Sequence, residues 1–465
     1  MSSQQIRQVE GMRSGSVIII GGSISGLLAA RVLADHFEHV TLIERDPFPT
    51  HTQTRKGVPQ GQHVHGLLAR GWEIMTGLFP GLENELVTAG AIPRDMAGDT
   101  RWYHFGGYKF QFDSGFIGLL MSRPLLEWHI RQRVLALSNV AMIHDADVDH
   151  LLASADRARV TGVAVRRRSS GTDPEHLSAD LVVDASGRGS RSPAWLSTLG
   201  YDPPVQTVIK IGGGYTTRIY RRDPSDLVGA RVVMISPHPP QEKRLGVMFP
   251  IESERWMVTL GGWLGDHPPN DEQGFLEFAR ALPAPDIYNF IRGAEPLSNP
   301  VAYKFPSNLR RHYERLVRIP AGYLVLGDAM CSFNPVYGQG MTVSALQASA
   351  LDISLRERSG DLNTLARRFF KRAAKVIDIP WIAAAGEDFR YPQVEGVRPP
   401  GIKLINWYGA KLQLATQRDP EVYRAFLYVM NLMRPPASLF HPRVVGRVFW
   451  NNLFAAPLSG GQTRG

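Results

Sequence analysis

Cysteine is almost missing from this chain of 465 residues, with Cys331 the single example. An intramolecular disulfide is therefore excluded, and so is a structural zinc site built on several thiolates. A reducing compartment suits such a chain, and a cytoplasmic location is expected. No apolar run is long enough to span a bilayer. The polar residues 1–14 do not resemble a signal peptide. No convincing metal-ligand cluster stands out either. His63 and His65 are two apart, which is not a helix-face pair, and they read as hydrogen-bonding loop histidines. Acidic residues are scarce near the C-terminus. Residues 361–465 hold 15 Lys and Arg against 7 Asp and Glu, an excess that accounts for nearly all of the net charge of +9. A solvated helical face explains this most simply. The sharper readings are a docking face for an acidic partner, such as a carrier protein or a reductase, or for an anionic surface. Nucleic acid is not expected, because Arg166, Arg167 and Arg168 lack interleaved aromatics.

With 43% of its residues hydrophobic, the chain can bury a large core in two or three structural units. Residues 17–45 organise it, reading VIIIGGSISGLLAARVLADHFEHVTLIER. A short β-branched strand runs into the turn Gly21-Gly22-Ser23-Ile24-Ser25-Gly26. Leu27, Leu28, Val32 and Leu33 recur at helical spacing, and a second strand ends at Glu44 and Arg45. This is the pattern of a dinucleotide-binding βαβ unit. Gly21 permits the tight turn, and Gly26 lets helix and strand approach. The helix N-terminus offers N–H groups to a pyrophosphate. Glu44 can accept from a ribose 2′-hydroxyl and would repel a 2′-phosphate. Ser23 replaces the middle glycine of G-x-G-x-x-G, and its hydroxyl can donate to a phosphate oxygen.

Arg55 and Lys56 precede a Pro59-Gln60-Gly61 turn, after which the spacing predicts a helix over 63–78. Strands are predicted within 100–112. Ser122-Arg123-Pro124-Leu125-Leu126-Glu127 opens a helix to about residue 137. Residues 140–143 and 160–166 read as strands. In 181–190 an apolar strand ends in the polar turn Asp184-Ala185-Ser186-Gly187-Arg188-Gly189-Ser190, as at the ligand edge of an open parallel sheet. From 205 to 262 the pattern alternates like antiparallel strands, and Trp256, Val258 and Leu260 share a face. Residues 271–290 look helical, and 301–304 is expected to return as a strand to the first domain. Residues 322–355 repeat the opening logic. A strand ends at Gly327-Asp328, a loop carries Pro335, Tyr337, Gly338 and Gly340, and a helix starts near Met341. Helices broken by prolines are expected over 362–453.

These stretches, in this order, resemble the class A FAD-dependent monooxygenases of the aromatic-hydroxylase type over most of residues 16–360. GGSISG with Glu44 is similar to that family's FAD-ADP site. GDAMCSFNPVYGQGM resembles its second FAD motif, in which an Asp binds the ribityl chain. Arg55 matches an arginine near the flavin phosphates, and Arg123 one opening the helix on the adenosine side. KGVPQGQHVHGLL, DASGRGS and FNPVYGQGM are closer still to a bacterial branch containing polyene epoxidases, with geranylgeranyl-reductase relatives nearby. The halogenase Trp-x-Trp-x-Ile-Pro motif is absent, which sets halogenation aside. Ser186 stands where the family's middle motif carries an Asp tied to NAD(P)H. Electrons are thus expected from NAD(P)H or from a separate flavin reductase.

The resemblance implies an α/β fold, α+β overall. A Rossmann-like FAD-binding domain occupies 16–200 and 301–360. An inserted antiparallel-sheet substrate domain occupies 201–300, and a helical region 361–465. It further implies FAD held by Gly21, Gly22, Ser23, Ser25, Gly26, Glu44, Arg45, Arg55, Arg123, Asp184, Gly187, Gly327, Asp328, Pro335, Gly338, Gly340 and Met341. One oxygen atom of O2 would enter an apolar, electron-rich small molecule of secondary metabolism, by epoxidation or hydroxylation. Pro335, Tyr337 and Phe249 are the pocket candidates, with Val247 and Val258 expected beside Phe249 as a roof. Two rival readings are a FAD-dependent reductase or dehydrogenase of isoprenoids or polyenes, and a non-catalytic FAD-binding interaction protein.

Overall fold

The β-branched run at 17–20 becomes the middle of a five-stranded parallel sheet. Its strand order is Tyr323–Val325, Leu181–Asp184, Arg13–Ile20, Phe37–Ile43 and Val140–Ile143. Val17, Ile19, Val182, Val183, Leu324 and Val325 are fully buried. Strands covered on both faces carry continuous apolar runs, not alternation. The register decides where the chemistry gathers. Ile20 pairs with both Asp184 and Ile43, and Asp184 pairs with Val325. Gly21, Glu44, Ala185 and Gly327 therefore all leave the sheet at its carboxyl edge, where open α/β sheets place ligands. A three-stranded antiparallel sheet, Ala146–Ala153, Val160–Arg167 and Glu175–Ser178, belongs to the same unit.

This computed structural model describes residues 13–169, 173–223, 232–357 and 361–453. The polar N-terminal stretch 1–12 and the end of the basic segment, 454–465, lie outside the described residues. The chain divides into two compact units. One comprises Met1–Ala91, Met121–Lys210 and Pro306–Ala384, the other Ile92–Leu120, Ile211–Phe305 and Ala385–Gly465. These limits differ from the sequence expectation at two places. Residues 92–120 leave the first unit because Thr100–His104 pairs in parallel with Val232–Ile235. The C-terminal residues from Ala385 on join the second unit, where Tyr423 and Leu427 pack with Trp102 and Ala97.

In the second unit the strand Gln206–Arg221, from Ile211 on, forms an antiparallel run with Arg255–Gly262, Arg244–Ile251 and Val232–Ile235. Helices Glu272–Arg280 and Asp286–Ile291 cover one face, burying Val233, Met248, Trp256, Val258, Leu260, Phe275 and Ile287 in one core. Val258 pairs directly with Met248 and shares that helix-covered face. Side chains alternate along a strand, so Val247 and Phe249 point the other way. The expected roof of Val247, Phe249 and Val258 is thus corrected: Val258 is a core residue.

Two helical expectations also change. The helix expected over 63–78 begins only at Ala69. Leu68 N–H donates to Thr342 Oγ1 at 3.0 Å instead, and Gly66 lies against the Cα of Gly338, so close that a Cβ would sit 3.1 Å from it. Prolines are expected to break the helices of 362–453, yet Leu365–Asp388 runs through Pro380. The proline forfeits one backbone bond, while buried Phe369, Phe370, Ile377 and Trp381 hold the helix on both sides of it.

Candidate functional site

Two helix N-termini define the site, both in the first unit. Gly21 has φ +105°, and a Cβ there would meet Ala185 O at 2.6 Å. Any side chain on Gly26 would overlap Gly21 O. Helix Ile24–Ala34 therefore starts hard against the turn. Its N-cap, Ser23, makes no side-chain cap, and the first helical bond is Leu27 N–H to Ser23 O. The amides of the first turn are left for a ligand. Helix Gly340–Arg356 is likewise uncapped by its N-cap side chain, Gln339. Ser25 Oγ and Ser344 Oγ, 2.7 Å apart, bond the two helices near their starts.

Glu44 closes one side. Its Oε2 accepts from Gly22 N–H at 2.7 Å, and Oε1 from Asp46 N–H at 3.1 Å. A carboxylate retains lone pairs for a hydroxyl after two such bonds. Arg55 is buried between Glu44, 3.1 Å from its Nη1, and Glu127, to which its Nε donates at 3.1 Å. Burial opposes the Arg55 charge, but Glu127 and then Glu44 outweigh it and raise its pKa. Burial likewise pushes the Glu127 carboxyl up, and Arg123 and Arg55 pull it below the usual range. Ser23 Oγ donates to Glu127 at 3.0 Å and accepts from Arg123 Nη2 at 2.9 Å. Arg123 Nη1 donates to His65 Nε2 at 3.2 Å, so the proton on His65 sits at Nδ1, which faces His63 O at 2.6 Å. Burial, and then Arg123, depress His65 to about 3, while burial depresses His63 to about 4. Both are neutral hydrogen-bonding histidines, and among the described residues no group of His, Cys, Asp and Glu is arranged to hold a metal.

Across the edge, Asp184 is fully buried and spent on its own turn. It accepts from Ser186 N–H at 2.9 Å, from Ser190 Oγ at 2.6 Å and from Ser192 Oγ. Gly187, φ +85°, has open space where a Cβ would stand. Arg188 donates to Ser332 Oγ at 3.1 Å and Ser307 Oγ at 2.8 Å. Gly327, φ +67°, gives its N–H to Gln347 Oε1 at 2.6 Å. Asp328 comes next, and its carboxylate takes no hydrogen bond from any described residue. Burial pushes its carboxyl up, while Arg123 and Arg188 oppose that shift. Gly340 at the second helix N-terminus lies close by, its Cβ position 3.9 Å from Asp328 Oδ1.

The sheet edge thus brings together Gly21, Gly22, Ser23, Ser25, Gly26, Glu44, Arg55, Arg123, Gly327, Asp328 and Gly340. Gly338, φ +62°, and buried Met341 flank the second helix start, after the short turn Pro335–Tyr337. Arg45 points largely outward, with 57% of its side chain exposed. Phe249 lies in the second unit, buried on strand Arg244–Ile251. Sequence reasoning passed over Glu127 and Arg188. Glu127 was visible only as the residue four beyond Arg123 on one helix face. An unsatisfied carboxylate near two arginines and two open helix N-termini suits a ligand that combines a pyrophosphate with sugar-like hydroxyls.

No protein-family model matches the chain. It is 33% identical over 450 residues to Protein Rv3254 of Mycobacterium tuberculosis, spanning 94% of this chain and 93% of that protein. Kynurenine 3-monooxygenase of Salinispora tropica is 29% identical over 182 residues, 38% of this chain and 36% of that enzyme. Among solved structures, the flavin-dependent brominase Bmp2 superposes with a TM-score of 0.64 at 13% identity, covering 95% of this chain and 98% of that one. A flavoprotein/dehydrogenase of Cytophaga hutchinsonii gives 0.65 at 13%, covering 95% and 100%. PqsL of Pseudomonas aeruginosa gives 0.56 at 17%, covering 90% and 100%. The fold is therefore that of the flavin-dependent monooxygenases and halogenases, with its Rossmann-type dinucleotide domain.

Proposed function

The chain belongs to the family of Protein Rv3254 of Mycobacterium tuberculosis, and from its fold and the residues of its site we propose that it is a FAD-dependent monooxygenase. Its substrate is an apolar, electron-rich small molecule, oxygenated by epoxidation of an alkene or hydroxylation of a ring. The observation that carries this reading is Asp328, a carboxylate without a hydrogen-bond donor beside the uncapped N-terminus of Gly340–Arg356. FAD fits these residues. The first turn of Ile24–Ala34 and Arg123 would hold the pyrophosphate, Glu44 the adenosine ribose and Asp328 the ribityl hydroxyls. Bound FAD would supply the activation of O2 and the transfer of one oxygen atom.

The chain's own contribution is binding, orientation and exclusion of charge. The Glu127 carboxylate pairs with both Arg55 and Arg123 and fixes their position at the cradle. Asn334 N–H donates to Asn308 Oδ1 at 2.6 Å and anchors the turn bearing Pro335 and Tyr337. That turn carries no acid or amine, and the nearby His63 and His65 are neutral. A reacting π-bond would meet no competing proton donor from them. The Ser186 amide is spent on Asp184, and the electron source is proposed to be a separate flavin reductase or NAD(P)H acting slowly.

Purified protein is expected to be yellow and to release FAD, not FMN, on denaturation. A colourless protein that FAD cannot reconstitute would overturn the reading. Stopped-flow reduction by NAD(P)H alone is expected to be slow. Fast, saturating reduction would remove the need for a reductase.

A further inference from the structure

Helices Ile402–Ala415 and Pro442–Leu453, both in the second unit, carry more apolar surface than their packing uses. Their inward residues Tyr408, Leu412, Val444, Val445 and Val448 make a small core with Val422. A surface helix needs one apolar stripe. These helices have a second one pointing outward. Leu404 is 69% exposed, Trp407 50%, Trp450 65% and Leu453 76%. Trp407 and Phe449 touch, ring centroids 6.1 Å apart, which joins the two stripes into one patch. At about 200 Å² for each full side chain, the exposed part is on the order of 600 Å², the size at which a patch on a soluble protein has a use.

The two helices themselves carry charge of one sign. Neither helix contains an Asp or Glu, while Lys403, Lys411, Arg443 and Arg447 all lie on them. Asp419 at the start of the neighbouring helix is buried, and Arg447 neutralises it through paired contacts of 2.9 Å. Lys403, Lys411 and Arg443 have no ion pair among the described residues. We propose that this face docks on an anionic lipid surface, with Trp407, Phe449, Trp450 and Leu453 entering the headgroup boundary and Lys403 and Arg443 meeting lipid phosphates. Tryptophans with interleaved cations are the composition of helices that lie in a membrane interface. A second copy of the chain would bring like charges together at the same patch. By contrast, Arg367, Arg368 and Arg372 of helix Leu365–Asp388 are occupied within their own unit, by Val317 O, Thr364 Oγ1 and Glu357. The inference does not depend on the flavin reading.

The test is flotation of the full chain, as purified, with phosphatidylcholine vesicles containing about a quarter phosphatidylglycerol, against pure phosphatidylcholine. Wild type is expected to float with the anionic vesicles and to be released as salt rises to about 0.5 M. The double variant W407S/W450S should lose about tenfold or more in partitioning, and K403E/R443E should lose the anionic preference. Both variants should keep the wild-type circular dichroism. Quenching by brominated lipid should be larger in wild type than in W407F/W450F. Absent flotation of wild type, or equal flotation of W407S/W450S, would overturn the proposal. So would a wild-type dimer split by W407S/W450S, which makes a second copy the occupant. Flotation only after deletion of residues 454–465 would likewise assign the patch to the chain's own C-terminus.

Discussion

Asp328 is the residue on which the cofactor assignment turns. A half-buried carboxylate with no donor is costly unless a ligand supplies hydroxyls. Asp328→Ala is expected to lower FAD affinity by about tenfold or more, the loss of one or two charge-assisted hydrogen bonds, while thermal stability of the apoprotein stays the same or rises. Equilibrium dialysis of FAD, with a melting curve of the apoprotein, checks both. Unchanged affinity would remove Asp328 from the site. His65 makes a pH prediction whose sign is fixed by its depressed value of about 3. The unfolded imidazole titrates near 6.5, so below that pH the unfolded chain binds a proton the folded chain refuses. This stability is present above about pH 6.5 and drains away as pH falls toward about 3. His65→Gln should therefore reduce the loss of unfolding free energy between pH 7 and pH 5 by up to about 2 kcal/mol. Urea titrations at the two pH values measure it, and an unaltered loss would contradict the neutral assignment.

At the scale of elements, the site depends on how closely helix Ala69–Leu78 approaches helix Gly340–Arg356. A Cβ on Gly71 would sit 2.6 Å from Thr342 Oγ1 and 2.8 Å from its Cα. Gly71→Val should push the helices apart, costing about 2 kcal/mol, and should loosen FAD through the displaced N-terminus at Gly340. A variant with wild-type melting temperature and flavin content would show that this contact is slack. Legibility in the sequence followed the range of the deciding interaction. Gly21, Gly26 and Glu44 were readable because backbone sterics set their offsets locally, and Gly327-Asp328 for the same reason. The start of the helix at Ala69 was not, since a threonine 274 residues away takes the amide of Leu68. Glu127 stayed hidden because its partners Arg55 and Ser23 are 72 and 104 residues distant. Val258 was assigned to a roof because alternation tells which residues share a face, not which face a helix covers.

For the molecule as a whole, the parallel sheet reads directly from three strands feeding polar turns, while the division into units does not. The strand Thr100–His104 gives no local sign that its partner is Val232–Ile235, and that pairing, with the packing of Ala97 and Trp102 on Tyr423 and Leu427, carries residues 92–120 into the second unit. The C-terminal helices were legible as helices but not as a face. Their outward tryptophans became apparent only once the inward stripe was accounted for. What the whole chain is proposed to do is insert one atom of O2, and the rival dehydrogenase would need only another electron acceptor.

Labelled oxygen separates the two most directly. The FAD-loaded protein, supplied with a flavin reductase and NADH, is offered apolar polyenes and electron-rich aromatics under ¹⁸O2, with a parallel set under nitrogen. The account predicts products carrying a single ¹⁸O atom, and no conversion without oxygen. Products of unchanged oxygen content, or full conversion under nitrogen with an alternative acceptor, would contradict it.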